Sequence, residues 1–269
     1  MEIGQRLTKN VTFTQADFDQ FAILSGDDNP IHVDPDYATK TVFGRPVAHG
    51  MFLFSHICAA LHQFCPELPL QQQTMMFAAP TFTQEENVLA LEVTAVSPPS
   101  TQIQTTFTRP DGQRGLVGAA VLGTGPLAHE LPELTASPAH KQLQVGQLAQ
   151  KAKQFSSRDV ASYCELVGDE NPLWQTAVPY GLLGGMISDL LGTTLPGRGT
   201  NWLKQNYTFT GQAAIGEPIT AVVQINRLRP QKDLVNLSTT ISDVHDNKIV
   251  MGDALVLVKE LISAEVSMR

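Results

Sequence analysis

Residues 26–32 read GDDNPIH, and residues 168–174 read GDENPLW, at an offset of 142 positions (168 − 26). The same offset joins three further pairs: residues 3–5 (IGQ) with 145–147 (VGQ), Phe13 with Phe155, and Asp17 with Asp159. A repeat of this length is a whole folding unit and not a solenoid module. The sequence therefore predicts two tandem domains of one fold.

The two copies differ at one position that matters for chemistry. Asp27 is followed five residues later by His32, whereas Asp169 is followed by Trp174. A carboxylate and an imidazole that share one water can remove a proton from it and return a proton to carbon. The pattern predicts one working site per chain, in the first copy. The other interpretation of this segment is an Asx turn with a half-exposed histidine.

Composition excludes several function classes. The formal charge is −8 and no run of Lys or Arg occurs, so a nucleic-acid groove is not expected. The three cysteines form no CxxC pair, and neither a disulfide framework nor a metal site is predicted. The apolar residues 51–61 are too few to cross a bilayer, and the N-terminus does not resemble a signal peptide. We expect a cytoplasmic protein without a membrane partner.

Each half shows the same order of elements: a short helix, a polar loop, an apolar helix and a run of strands. In the first half we predict the apolar helix over residues 51–64 and strands over 74–82, 88–96, 102–108 and 116–122. In the second half we predict helices over 159–167 and 182–191 and strands over 202–209, 219–225, 234–241 and 249–258. The domains are predicted as residues 1–125 and 144–269, joined by a linker over 126–143. The fold class is α+β, with the apolar helix packed on one face of an antiparallel sheet.

The first repeat resembles the (R)-specific enoyl-CoA hydratases, also called hydratase 2 or MaoC-like dehydratases. The resemblance is carried by Phe21, residues 24–34 (LSGDDNPIHVD), Ala38, residues 43–46 (FGRP) and residues 49–51 (HGM). It is strong over residues 13–62 and looser over 145–258. It implies the hot-dog fold, in which a sheet wraps one central helix, and here a double hot-dog.

The resemblance also implies roles for single residues. Asp27 and His32 bind the water that adds to a trans-2-enoyl thioester, giving an (R)-3-hydroxyacyl thioester without metal or redox cofactor. The backbone N–H of Gly50 contacts the thioester oxygen, and a helix N-terminus suits the enolate that forms there. We expect Asn29 and His49 to order the loop and not to act as catalysts.

The second half is predicted to be scaffold and substrate pocket. Tyr180 and Gly181 stand where the pattern places His49 and Gly50. Gly184 and Gly185 in the second apolar helix either leave a tunnel for the acyl chain or allow close packing. In the tunnel case, leucines at both positions shorten the accepted chain.

Several alternatives stay open from the sequence. The carrier is CoA or an acyl-carrier protein, and the physiological direction is hydration or dehydration, in fatty-acid or polyhydroxyalkanoate-type metabolism or in lipid or polyketide synthesis. A non-catalytic acyl-thioester binder and a thioesterase share the fold. A homodimer of double hot-dogs is a further expected assembly.

Overall fold

The first half of the chain contains five strands and four helices within residues 1–125. The structure, a computed structural model, describes residues 1–125, 131–137 and 142–258. The helices are α1 (Gln15–Ser25), α2 (Pro30–Val33), α3 (Pro35–Ala38) and α4 (Gly50–Phe64). The strands are β1 (Arg6–Thr12), β2 (Leu70–Phe77), β3 (Glu86–Ser97), β4 (Ser100–Thr108) and β5 (Arg114–Gly123).

The second half repeats this order with a shorter connection before its apolar helix. Its helices are α5 (Ser157–Val167) and α6 (Tyr180–Asp189), with a 3-10 turn at Pro172–Gln175, a π turn at Leu190–Thr194 and a further 3-10 turn at Pro230–Lys232. Its strands are β6 (Leu148–Gln154), β7 (Asn201–Phe209), β8 (Pro218–Arg229), β9 (Leu234–Ser242) and β10 (Lys248–Leu257). Of the predicted linker, residues 126–130 and 138–141 lie outside the described residues.

All ten strands of the described residues join one antiparallel sheet in the order β1-β3-β4-β5-β2-β7-β10-β9-β8-β6. The halves meet at β2 and β7, where Gln73 pairs with Tyr207 and Met75 pairs with Gln205. Gln73 and Gln205 make matching contacts, since each side-chain amide donates to a threonine Oγ1 at 3.0 Å. The sheet therefore has an approximate two-fold axis between the halves.

The central helices α4 and α6 pack side by side on one face of this sheet. Alternate strand residues are buried toward the helices, as Leu89, Leu91 and Val93 are in β3. The predicted α+β class, with an apolar helix on a sheet in each half, is confirmed. Among the described residues, no helix is long and apolar enough to span a membrane.

Two edge strands were not predicted from the sequence. The strands β1 and β6 show the same pattern of mostly exposed residues, with no buried face to give a period of two. The predicted strand over 74–82 was displaced, because β2 begins at Leu70 and ends at Phe77. Pro80 follows shortly after, and proline cannot donate to a sheet ladder.

One half-buried histidine, whose ring nitrogen Nε2 is buried, makes the stability of the fold depend on pH. The His56 ring in α4 contacts Phe52 and Phe13 at centroid distances of 4.9 and 5.3 Å. Burial lowers the pKa of His56 to about 4. His56 therefore binds a proton near pH 6.5 in the unfolded chain, but only near pH 4 in the folded chain.

We expect the free energy of unfolding to fall by up to about 3 kcal/mol as pH drops from 6.5 to 4 through this group. His56→Phe keeps a ring of similar size and removes the titrating group. Urea unfolding at pH 7 and pH 4.5 should show a smaller loss for the variant than for the wild type. Equal losses in both proteins would contradict this role for His56.

Candidate active site

The loop after α1 is shaped by its own backbone and side chains. Gly26 ends α1 in the left-handed region at φ 91°, and the next residue, Asp27, is 1% exposed. The Asp27 N–H donates to Ser25 Oγ at 3.2 Å, and the Asn29 N–H donates to Asp27 Oδ1 at 3.4 Å. Asn29 in turn caps α2, where its Oδ1 accepts from the Ile31 N–H at 3.4 Å. This loop directs the Asp27 carboxyl group inward.

The two histidines predicted near the site stack on each other. His32 Nδ1 donates to the Val47 carbonyl at 2.7 Å, which leaves Nε2 with the lone pair when the ring is neutral. His49 Nε2 donates to the Asp27 carbonyl at 3.0 Å. The two ring centroids are 3.8 Å apart. One side-chain ligand atom from each of Asp27, His32 and His49 lies within 4.8 Å of the others.

The second half completes the site from helix α6 and the π turn that follows it. Ser188 Oγ donates to Asp27 Oδ2 at 2.5 Å, and the Asn29 side-chain amide donates to the Gly192 carbonyl at 3.4 Å. The sequence analysis missed Ser188 because the contact joins residues of different halves. A serine hydroxyl among the mostly apolar residues of α6 was the only available signal.

These groups face a cavity of about 160 Å³ between the halves. Its walls include Asp27, His32, Gly50, Phe77, Ser188 and Trp202. Gly50 is the first residue of α4, so its N–H has no intrahelical acceptor. A Cβ at this position would lie 2.7 Å from Cε1 of Phe77, so glycine alone fits without moving the ring. The cavity thus contains a carboxyl group, an imidazole and the positive end of a helix.

Burial shifts the pKa of each titrating group in the direction that favours the neutral form of that group. Burial raises the pKa of Asp27, although His32, Ser188 and the Asn29 N–H all favour the charged carboxylate. Burial lowers the pKa of His32 against the opposing effect of Asp27. Burial, and then His32, hold the pKa of His49 well below its usual value. Both imidazoles are therefore neutral at pH 7 and able to accept a proton.

The same three side chains are close enough to share one metal ion. Hydrogen bonds already engage both carboxyl oxygens of Asp27 and one ring nitrogen of each histidine. The expectation that the site uses no metal stays a prediction.

The counterpart in the second half has a different chemistry. Trp174 Nε1 donates to Asp169 Oδ2 at 2.8 Å, so the indole binds the carboxylate that an imidazole would face.

The structure also corrects the alignment of the two halves by one residue. Pro179 is the N-cap of α6 and Tyr180 its first residue, as His49 and Gly50 are for α4. Tyr180, not Gly181, therefore stands in the place of Gly50.

Of the two alternatives for Gly184 and Gly185, the structure favours close packing over the tunnel. A Cβ on Gly184 would lie 2.7 Å from Met51 Sδ, and a Cβ on Gly185 would lie 2.5 Å from Ser25 Cβ. Neither glycine lines the cavity around Asp27 and His32, whereas Gly192 does. The two glycines let α6 approach α4 and α1 closely.

We therefore expect Gly185→Ala to lower the free energy of unfolding by about 1–3 kcal/mol, because one added methyl overpacks the contact with Ser25. Urea unfolding measures this loss. If the activity is the enoyl-thioester hydration that the family resemblance implies, the folded fraction should turn over short and longer substrates in unchanged proportion. A selective loss of the longer substrates would restore the tunnel interpretation.

A second variant tests the contact between Ser188 and Asp27. The hydrogen bond from Ser188 lowers the pKa of Asp27, so its removal in Ser188→Ala raises that pKa further. Where the ionised carboxylate is the active form, the acidic limb of the kcat/KM profile moves to higher pH. At pH 7 we expect kcat/KM to fall about tenfold, which corresponds to the free energy of one hydrogen bond to a charged group.

Two controls accompany the Ser188→Ala profile. Ser188→Thr keeps a hydroxyl and should restore the position of the acidic limb. Cys58→Ala changes the counterpart of Ser188 in α4 and should leave the profile in place. A loss in Ser188→Ala without any movement of the limb would contradict the electrostatic role.

Known proteins resemble the half of the chain that contains this site. The profile of the family described as "MaoC like domain" matches residues 2–110, which include Asp27, His32 and Gly50. The (R)-specific enoyl-CoA hydratase of Aeromonas caviae is 33% identical over 126 residues, which are 42% of this chain and 94% of that protein. The chain belongs to the MaoC-like dehydratase family. A second relative, the 3-hydroxybutyryl-CoA dehydratase of Methylorubrum extorquens, is 33% identical over 147 residues, covering 50% of this chain and 92% of that protein.

The fold of this MaoC-like chain is shared over nearly its whole length. A conserved hypothetical protein of Mycobacterium tuberculosis, described as having a double hotdog fold, aligns with a TM-score of 0.69. The identity is 12%, and the alignment covers 96% of each chain. The predicted double hot-dog fold is thereby confirmed. The named relatives place the chain in a family of hydratases and dehydratases.

Proposed function

We propose that this protein catalyses the reversible hydration of trans-2-enoyl thioesters to (R)-3-hydroxyacyl thioesters. The observation that carries the proposal is the convergence of Asp27 and His32 in one cavity beside the first residue of α4. The names of the Aeromonas and Methylorubrum relatives support a CoA thioester as substrate. The stereochemistry is inferred from the family resemblance.

The two side chains have complementary roles around one water. The water lies between the Asp27 carboxyl group and Nε2 of His32, since Nδ1 of His32 is held by Val47. One of the two groups takes a proton from the water as its oxygen bonds to C3 of the enoyl group. The other delivers a proton to C2, so that H and OH add across the double bond and no atom is left over. Which group takes which proton is left open.

The thioester oxygen gains negative charge during this addition. Gly50 presents its N–H at the start of α4, where the helix dipole also favours negative charge. A donor fixed in place before the reaction stabilises the enolate more than water does. The absence of a Cβ leaves the backbone open to the substrate.

The carrier of the substrate, the metabolic role, the cellular location and the assembly are part of the same proposal. The substrate is an acyl-CoA or an acyl-carrier-protein thioester of fatty-acid or polyhydroxyalkanoate-type metabolism, and the reverse reaction is a 3-hydroxyacyl-thioester dehydration. No redox cofactor takes part in this chemistry, because hydration changes no overall oxidation state. We propose a cytoplasmic location and a homodimer as an assembly.

Incubation with crotonyl-CoA tests the function directly. Loss of the conjugated-enoyl absorbance without appearance of free thiol, with (R)-3-hydroxybutyryl-CoA as product, supports the hydratase. Release of thiol selects a thioesterase, and an unchanged substrate selects a binding protein. The crotonyl group is a suitable first substrate, since an apolar cavity of about 150 Å³ holds a molecule the size of benzene.

A further inference from the structure

A second cavity lies in the second half at the position that the Asp27–His32 cavity takes in the first. Its volume is about 200 Å³, compared with about 160 Å³ for the first. Asn171, Leu173 and Trp174 line it where Asn29, Ile31 and His32 line the first cavity. The walls of the two cavities have no residue in common within the described part of the chain.

Helix α4 closes this second cavity as α6 closes the first. Cys58, Leu61 and His62 occupy the places that Ser188, Leu191 and Gly192 occupy opposite Asp27. The exchange is reciprocal: each central helix completes the cavity of the other half. The second cavity is thus built at positions equivalent to those of the first, although Asp169, the counterpart of Asp27, is not among its lining residues.

The second cavity lacks the arrangement that the proposed hydration needs, although His62 and Glu67 are among its lining residues. Asp169 accepts the indole N–H of Trp174, and the Tyr180 ring packs edge-on against Trp174 at a centroid distance of 5.5 Å. The side chain of Tyr180 stands where Gly50 leaves its backbone open. Burial raises the pKa of the Cys58 thiol well above its usual value, so this thiol stays neutral. The residues at the positions of Asp27, His32 and Gly50 therefore do not reproduce the arrangement of the first site.

Large side chains have replaced small ones here, yet the cavity has remained. Trp174 and Tyr180 are among the bulkiest residues available, yet a cavity of about 200 Å³ remains beside them. Exposed residues, among them Pro66, Glu67 and Gln212, form its rim, so it is open to solvent. A site that had only lost its activity would be free to fill with side chains. Retention of this space favours an occupant.

The chemistry of the walls indicates what the occupant is. Leu61, Leu122, Leu173 and Trp174 give an apolar surface, and Asn171 and Gln212 supply hydrogen-bonding groups beside it. An apolar cavity of about 150 Å³ accepts benzene, so this one suits a chain of roughly six to eight carbons. Glu67 also lines the cavity, and its carboxylate disfavours a second carboxylate nearby. The carbonyl of a thioester is uncharged and meets no such repulsion inside the cavity, and in this proposal the charged carrier lies outside it.

We propose that the second cavity is a non-catalytic binding site for the acyl group of a medium-chain acyl thioester. Each chain then binds two acyl thioesters, one at the cavity of Asp27 and His32 and one at the cavity of Trp174. The second site holds its ligand without altering it. This proposal stands whether or not the first site is a hydratase.

The two tryptophans of the chain report on the two cavities separately, because Trp202 lines the first and Trp174 the second. In Trp202→Phe, we expect octanoyl-CoA, which has no double bond to hydrate, to change the Trp174 emission in a saturable manner. Sodium octanoate at the same concentration should leave the emission unchanged. An unresponsive Trp174, or a response to octanoate and not to octanoyl-CoA, overturns the proposal.

Calorimetric titration gives an independent count. We expect two octanoyl-CoA per wild-type chain and one in Leu173→Trp, which fills the second cavity and leaves crotonyl-CoA turnover unchanged. Ile31→Trp is the matched control, since Ile31 is the counterpart of Leu173; it should abolish turnover and the other binding event. One equivalent in the wild type, or two in a folded Leu173→Trp, overturns the proposal. If the wild type binds two octanoyl-CoA but does not hydrate crotonyl-CoA, the hydratase proposal is wrong and the proposal of a second binding site stands.

Discussion

Asp27→Asn and His32→Asn are each expected to lower kcat for crotonyl-CoA hydration by about 10²- to 10⁴-fold, the usual contribution of a positioned acid or base. Asn at position 27 keeps the shape of the carboxyl group and removes its charge and basicity. Asn at position 32 carries a side-chain nitrogen able to donate to the Val47 carbonyl, as Nδ1 of His32 does now, but it lacks Nε2. Steady-state assays combined with thermal unfolding measure the two effects separately.

The repeat supplies a matched control for this experiment. Asp169→Asn makes the same change in the second half, where Trp174 and the Asn171 N–H already engage the carboxylate. Turnover should stay within about twofold of the wild type, because the cavity around Asp27 is untouched. Comparable losses from Asp27→Asn and Asp169→Asn, with both proteins folded, would contradict a single working site in the first half.

Gly50→Pro is expected to lower kcat by about 10²- to 10³-fold relative to Gly50→Ala, the usual cost of removing one oxyanion donor. Both variants add a Cβ against the Phe77 ring, so the comparison cancels that contact. Only proline removes the N–H. Proline is favoured at the first position of a helix, and His49 before it has an extended backbone (φ −59°, ψ 134°) that proline tolerates.

The same pair of variants in a Phe77→Leu background separates crowding from the lost donor. If the Cβ acts only by displacing the Phe77 ring, Gly50→Ala should recover in that background. Gly50→Pro should stay impaired. Equal activities of the alanine and proline variants would show that the Gly50 N–H does not bind the substrate oxygen.

Local patterns in the sequence predicted the elements that bury one face. The helix α4 was predicted from its continuous apolar run, and its observed bounds are Gly50–Phe64. The offset of 142 residues also held for the strands that the patterns missed, since Arg6–Thr12 and Leu148–Gln154 are separated by that number. Those two edge strands lack a buried face, and burial is what produces a readable alternation.

Contacts between the halves were beyond such patterns. Ser188 lies 161 residues from Asp27 in sequence, and no periodicity connects residues so far apart. The shorter connection before α6 hid the one-residue error that placed Gly181 opposite Gly50. Only the position of the helix start fixes Tyr180 there. The choice between a tunnel and close packing at Gly184 and Gly185 could not be made from the sequence for the same reason, because the side chains against them, Met51 and Ser25, come from the other half.

Each central helix closes the cavity of the other half, and this arrangement gives a chain with two tandem halves a freedom that two identical subunits lack. In a symmetric pair, any residue suited to one pocket is imposed on both. Here Ser188 and Gly192 serve Asp27 and Asn29, while Cys58 and His62 face Trp174. Covalent fusion therefore released the inner face of each central helix from selection for two tasks at once. Divergence of one pocket needed no compromise in the other.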